Sequence, residues 1–334
     1  MTHMEREARE APEAVQRFLE RNDAALADLG RRLRITNPPF ILTSARGSSD
    51  HAAGYLKYLS EILLGVPCAS VGASVASIYG ARLRARSALA VTISQSGQSP
   101  DILALQQEAR GAGALSVAIV NAEDSPAGQN ADVCLPLYAG PEKSVAATKT
   151  VIVSMAAGAA LVAHWLADGA MQSAISSLPE LLHEAMKGRW IEFSDKLAGV
   201  DSLYVLGRGP SLPIASETAL KLKETCAIHA EAHSAAEVMH GPLELVAKDF
   251  PVLVLAQNDQ SLSSTVAALE RLKLARACVL ACGAFGHLTP RSSQPLLDPL
   301  VMLASVYVAT EHLARVRGRD PDAPRMLRKV TETV

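Results

Sequence analysis

The sequence predicts an α/β protein built from two copies of one doubly wound, flavodoxin-like unit, each a five-stranded parallel sheet flanked by helices. Three observations predict it. Arg46-Gly47-Ser48-Ser49 and Arg208-Gly209-Pro210-Ser211 lie 162 residues apart, and the same offset carries Ser94-Gln95-Ser96-Gly97-Gln98-Ser99 onto Ala256-Gln257-Asn258-Asp259-Gln260-Ser261. It also carries Val117–Asn121 onto Val279–Gly283. Finally, the candidate strands are short continuous apolar runs rather than alternating ones, which marks strands covered by helices on both faces.

The elements follow in order. Glu5 to Arg34 is rich in Glu, Arg, Ala and Leu and predicts one or two amphipathic helices, broken at Asn37-Pro38-Pro39. Phe40 to Ser44 is a strand running into the Arg46–Ser49 turn, and Asp50 to Leu64 repeats apolar residues at helical spacing up to Gly65. Strands are predicted at Cys68–Val71, Ala88–Ser94, Leu115–Asn121 and, at an edge, Cys134–Leu137, with a helix over Asp101–Arg110. Val151 to Ala167 is the longest apolar run. It ends at His164-Trp165 and Asp168-Gly169, short of a membrane span, so a buried core helix is expected. The second copy repeats the plan with strands at Leu203–Leu206, Phe250–Ala256 and Ala277–Ala281, a helix over Ile214–Ile228 and a long one over Pro299–Arg317. The organisation expected is a helical segment at 1–34, a first domain at 35–171, a helical connector at 172–195, a second domain at 196–319 and a tail at 320–334.

Composition narrows the function classes. The 334 residues suffice for two domains with their own cores, and 49% hydrophobic with 20% charged residues excludes a disordered chain. A net charge of −2 gives no electrostatic reason to expect nucleic acid or an anionic membrane as partner. Cys68, Cys134, Cys226, Cys278 and Cys282 are odd in number and set in apolar runs, as expected of buried thiols in a reducing cytoplasm. The charged N-terminus lacks the apolar stretch of a signal peptide, and a cytoplasmic location is expected.

Ser94–Ser99 lies between a predicted strand and a predicted helix, where free backbone N–H groups meet the hydroxyls of Ser94, Ser96 and Ser99. Gly97 lets the backbone approach an oxyanion, and Ser48 and Ser49 of the other turn face the same strand ends. An ordinary serine-rich turn with Ser99 capping before Pro100 is the alternative. The second copy has Asn258 and Asp259 in its loop, an acidic turn unsuited to phosphate. No Gly-x-x-x-x-Gly-Lys occurs, so a nucleoside triphosphate is not indicated.

These loops resemble those of the sugar isomerase (SIS) domain family, and the tandem pair is similar to the isomerase half of glucosamine-6-phosphate synthase. The likeness runs from about Glu5 to Thr331, strongest in Ser94–Ser99, Ala219–Pro242 and Pro324–Lys329. It implies that Ser49, Ser94, Gln95, Ser96 and Ser99 hold a sugar phosphate and that Val145 contacts the sugar through its backbone. Residue 147, a serine near the sugar in the synthases, is Ala147 here; Lys143 replaces a small residue, and Arg46 stands where synthases often have cysteine. These departures bear on which sugar is accepted.

Glu217, Lys221 and Glu224 fall at i, i+4 and i+7 of one predicted helix and share a face. An aldose–ketose interconversion needs a base that moves a proton from C2 to C1, and the resemblance puts the family's shuttling glutamate at Glu224. A solvated Glu/Lys surface is the alternative. His240 has an imidazole suited to opening a cyclic sugar, and the resemblance implies that it serves a neighbouring subunit of a homodimer. Lys329, four residues after Arg325, matches the family's lysine that forms a Schiff base with the open-chain carbonyl or polarises it.

The resemblance implies no cofactor and no metal. His229 and His233 have the i, i+4 spacing of a helical zinc pair, but Ala230 stands where the general-base glutamate would follow the first histidine. The first strand begins at Phe40 and the first cysteine is Cys68, so a glutaminase domain like that of the synthases is not expected. The function expected is therefore deamination and isomerisation of glucosamine 6-phosphate to fructose 6-phosphate and ammonia. Action on galactosamine 6-phosphate or a fructosamine-type 6-phosphate, and sugar-phosphate sensing without turnover, are the alternatives.

Overall fold

The computed structural model describes residues 1–327, apart from Arg189 and Leu288, together with Lys329. The chain opens with α1 (His3–Arg9) and α2 (Ala11–Thr36). Then come β1 (Ile41–Ser44), α3 (Ser48–Leu59), β2 (Cys68–Ser70), α4 (Ser74–Ser77), β3 (Leu89–Ser94), α5 (Pro100–Gly111), β4 (Leu115–Val120), α6 (Pro126–Asn130) and β5 (Val133–Pro136). The helices α7 (Lys149–Leu166), α8 (Gly169–Ser176), α9 (Leu178–Ala185) and α10 (Ile191–Leu197) lead into β6 (Ser202–Gly207), α11 (Ser211–Lys221) and β7 (His229–Ser234). The remainder is β8 (Pro251–Ala256), α12 (Leu262–Leu274), β9 (Cys278–Gly283) and α13 (Asp298–Val316).

The elements form two compact units. One comprises Ala11–Glu142, Lys149–Ser176 and Lys329, and its sheet is wholly parallel in the order β2-β1-β3-β4-β5. As expected, β5 is at an edge. Its helix α7 is apolar all round and therefore sits in the core, packed by α2 and α3. Gly30 of α2 makes the close approach feasible, because a Cβ there would overlap the backbone carbonyl of His164. The other unit comprises Met1–Glu10, Lys143–Thr148 and Ser177–Leu327, with the parallel order β7-β6-β8-β9. Its core helix α13 is packed by α9, α10 and α11, and α1 docks on it through the Thr2 hydroxyl, which donates to Glu311 at 2.9 Å. Among the described residues, two segments are long and apolar enough to cross a membrane, Lys149–Leu166 and Pro295–Val316, and they are 89% and 94% buried, as core helices are.

The 162-residue offset is a structural register. It carries β3 onto β8 residue for residue, and a π-helical turn at Ser60–Leu64 onto a second one at Leu222–Cys226. The doubling stops at the fifth strand: among the described residues the expected second five-stranded sheet has four strands. The positions matching β5 form a 3-10 turn, Pro295–Leu297, that leads straight into α13. A further parallel strand requires the chain to return to the opposite end of the sheet. Residues 121–148 do this between β4 and α7, whereas the half-length connection 284–297 is interrupted by Pro290 and Pro295.

Two other expectations are corrected. His229 to His233 is not helical but forms the edge strand β7, with Ala230 buried between the exposed His229 and Glu231. Four residues apart on a strand, the two histidines stand about 13 Å from each other, too far to share one ion. The connector is three short helices rather than one, because Pro179 is tolerated only at the start of a helix and forces a new one after Ser177.

Asp298 begins α13 with only 5% of its surface exposed, and burial pushes its carboxyl up to about 6. A raised acid contributes stability that is complete below its unfolded value and is lost as pH rises through the folded one. Relative to wild type, Asp298→Asn should therefore gain roughly 2 kcal/mol between pH 4 and pH 7. Urea midpoints at both pH values test this, and a pH-independent difference contradicts it.

Candidate functional site

In the first unit the Arg46–Ser49 turn and the Ser94–Ser99 loop lie at the C-terminal ends of two neighbouring strands, β1 and β3. After β3 the Ser94 hydroxyl accepts from the Gly97 N–H at 3.0 Å and the Ser96 hydroxyl from the Gln98 N–H at 3.4 Å, curling the loop. The Gln95 carbonyl accepts from the Asn121 N–H at 3.3 Å. Gly97 has φ +62°, and a Cβ would collide with the Ser125 hydroxyl, so glycine is required for both reasons. Ser99 occupies the N-cap of α5, but its side chain makes no capping hydrogen bond. Ser48 and Ser49 are the first two residues of α3. Two helix N-termini and several serine hydroxyls thus lie at the same end of the sheet, an arrangement suited to an oxyanion.

The equivalent loop of the second unit is already filled. The Asp259 carboxylate accepts from the Ser261 N–H at 2.8 Å, the Ser261 hydroxyl at 2.5 Å and the Gln257 amide at 3.0 Å. Gln257 also donates to the Arg208 carbonyl at 2.9 Å. The chain's own carboxylate consumes the donors that an anion would need.

The second unit carries the charged trio. Glu217 and Lys221 end α11, and Glu224 follows in the π-turn Leu222–Cys226, which the expectation of one regular helix missed. Side-chain exposure is 0% for Glu217, 1% for Lys221 and 20% for Glu224, so a solvated surface is excluded. The Lys221 ammonium makes a short contact with Glu224 and stands 3.5 Å from Glu217, whose Oε1 also accepts from the Tyr307 hydroxyl at 2.8 Å. Burial of this kind is tolerated only when the charges are mutually compensated. Only Glu224 of the three reaches solvent, so only its carboxylate is available to a substrate.

The remaining predicted residues divide between the units. In the second unit His240 is exposed at the end of a 3-10 turn, Glu237–His240, and no hydrogen bond engages its ring among the described residues. Val145 and Ala147 are half-buried in the loop 143–148, which the buried Glu7 fixes by accepting from the Lys143 and Ser144 N–H groups at 2.5 and 3.0 Å. Arg325 is exposed in the tail. In the first unit the Lys329 ammonium lies 3.2 Å from the fully buried Glu142 carboxylate, which also accepts from the Thr150 hydroxyl at 2.8 Å.

Sequence reasoning missed Glu142, Tyr307 and Glu7. A single tyrosine in the apolar run of α13 was a usable signal for an internal hydrogen bond; nothing in the sequence pointed to the two glutamates. Burial pushes the Cys68 and Cys282 thiols up to about 12 and those of Cys134 and Cys226 to about 11, so they stay protonated and inert near neutrality.

The glutamine–fructose-6-phosphate aminotransferase (isomerizing) of Zymomonas mobilis subsp. mobilis is 31% identical over 360 residues, covering 98% of this chain but 58% of its own. The chain thus spans just over half the length of the curated relatives it matches. The structure of a candidate phosphosugar isomerase from Silicibacter pomeroyi DSS-3 superposes with a TM-score of 0.91 at 44% identity, covering 96% of this chain and 100% of that one. The C-terminal domain of glucosamine-fructose-6-phosphate aminotransferase from Francisella tularensis gives 0.87 at 26% identity, covering 96% and 98%. The SIS domain model matches residues 35–164 and 196–286, and the chain belongs to the SIS-domain family, with the domain present twice in tandem.

Proposed function

We propose that this protein is a SIS-type phosphosugar isomerase that converts glucosamine 6-phosphate and water to fructose 6-phosphate and ammonia. The observation that carries the reading is the buried Lys221 held between Glu217 and the partly exposed Glu224. A carboxylate oriented by an immobile ammonium is suited to proton transfer between adjacent carbons. The likeness to the Silicibacter pomeroyi protein supports the isomerase class. The name of the curated relatives supports a six-carbon 6-phosphate as substrate.

Phosphate binding is assigned to the first domain through Ser49, Ser94, Gln95, Ser96 and Ser99, with Ser48 beside them. Val145 and Ala147 line the sugar, and Arg325 supports the tail. His240 passes a proton to the ring oxygen and opens the sugar, exposing the C1 aldehyde. Its exposure suits service to a second subunit, so the active species is a homodimer. Glu224 removes the C2 proton and returns it to C1, while a proton passes from the amine nitrogen to O1, leaving a C1 alcohol and an imine at C2. Water adds to that imine and ammonia leaves, giving the ketose. Lys329, paired with Glu142, acts by its positive charge on the developing oxyanion.

Two measurements test this. Purified protein given glucosamine 6-phosphate should release ammonia and fructose 6-phosphate in equal amounts. Release from galactosamine 6-phosphate alone would reassign the sugar, and release from neither, with binding intact, would favour a sensor. Glu224→Gln should bind the sugar phosphate within about threefold of wild type while losing about 100- to 10,000-fold in kcat. Undiminished turnover in that variant removes Glu224 from the mechanism.

A further inference from the structure

Asp101 is the second residue of α5, two positions after Ser99, and its carboxylate is completely buried. On electrostatic grounds this is an odd neighbour for an anion cradle, since an uncompensated carboxylate would repel the ligand that the loop is shaped to hold. The Arg46 guanidinium makes a close ion pair with it, while 42% of the arginine side chain stays exposed at the mouth of the turn. Arg46 precedes Ser48 and Ser49, and Asp101 follows Ser99. The pair therefore joins the two turns whose serines are assigned to the phosphate.

The second unit supplies an internal comparison. At the same offset Asp101 becomes Ser263, and Arg208, the counterpart of Arg46, donates instead to the Ser234 hydroxyl at 2.9 Å. The unit whose loop is filled by its own Asp259 has no such acid–base pair. The unit with the open cradle has it.

We propose that Arg46 is the positioning residue of the phosphate site. It neutralises the buried Asp101 carboxylate, so that the Ser94–Ser99 loop accepts a dianion. The inference rests on the phosphate reading of the loop. It adds a determinant of affinity that acts through charge compensation rather than through a hydroxyl.

The experiment is calorimetric titration of the full chain with inorganic phosphate at constant ionic strength, in a double-mutant cycle. Arg46→Ala should weaken binding about tenfold or more, because it leaves the buried carboxylate uncompensated beside the anion. Asp101→Asn should stay within about threefold of wild type, and Arg46→Ala combined with Asp101→Asn should recover to within about threefold of Asp101→Asn alone. That rescue is the result a merely structural contact would not give. Wild-type affinity in Arg46→Ala overturns the inference, as does a double variant as weak as Arg46→Ala. Should Arg46→Ala fail to fold, Arg46→Gln replaces it, with Arg46→Lys expected to retain affinity. A wild-type protein that does not bind phosphate overturns the phosphate reading itself, a failure distinct from that of Arg46.

Discussion

An ammonium with 1% of its surface exposed constrains everything around it. Lys221 cannot stay charged in the core of the second unit unless its anions arrive with it, because the penalty for an uncompensated buried ion is several kcal/mol. Glu217 supplies one from the preceding turn of α11, and Tyr307 in turn holds that carboxylate by a hydroxyl from α13. Glu224 supplies the other from the π-turn. The packing of α11 against α13 is therefore not only an apolar contact. It must set a polar chain of four side chains in register, which restricts how either helix can slide. A single one of the four, Glu224, has a face toward solvent.

The duplicated architecture explains how the two units came to differ without losing their frame. The backbone devices agree: strand, glycine-bearing turn, helix, π-turn, strand. The side chains placed on them do not. In the loop after the third strand position, the first unit has donors and the second has Asp259 satisfying them internally. Since a cradle filled by its own carboxylate cannot also take a phosphate, the chemistry of each loop follows from one position, glycine at 97 and aspartate at 259. Gly97 must be glycine for its backbone angle and for the approach of Ser125, whereas Asp259 has no positive φ to accommodate.

How much of this could be read from the sequence depended on the range of the interaction. Strand positions and the doubling were legible, because a buried parallel strand writes itself as a continuous apolar run and a repeat needs no physics beyond comparison. The Ser94–Ser99 loop was legible from its place between a strand and a helix. The strand β7 was not, since His-Ala-Glu-Ala-His satisfies a helical i, i+4 pattern and a period-two pattern at once, and only the neighbouring strand β6 decides between them. The missing fifth strand was equally hidden, because the length of a connection carries no hydrophobic signal. Glu142 and Glu7 escaped for a third reason. Each takes a partner more than a hundred residues away, Lys329 for Glu142 and the backbone of 143–144 for Glu7, which no local pattern announces.

The π-turn shows why the helix of the second unit, rather than that of the first, carries the charges. Both units have it at equivalent positions, ended by a residue in the left-handed region: Gly65 at φ +68° and Ala227 at φ +49°. The trio Glu217, Lys221 and Glu224 corresponds to Tyr55, Leu59 and Ile62, so the same backbone bears an ordinary apolar set in one unit and an ion-paired set in the other. A π-turn widens the helix and shifts the following side chains, which is why such turns recur where a side chain must be aimed. In the first unit the shift leaves Ile62 half exposed, with no evident gain. In the second it brings Glu224 onto Lys221 while leaving part of its carboxylate in solvent. Ala227 holds the left-handed position there at a cost of about 1 kcal/mol that Gly65 avoids. A strained terminus retained beside a buried ion network is consistent with the turn being kept for the placement of Glu224, since the fold alone is served as well by the apolar version.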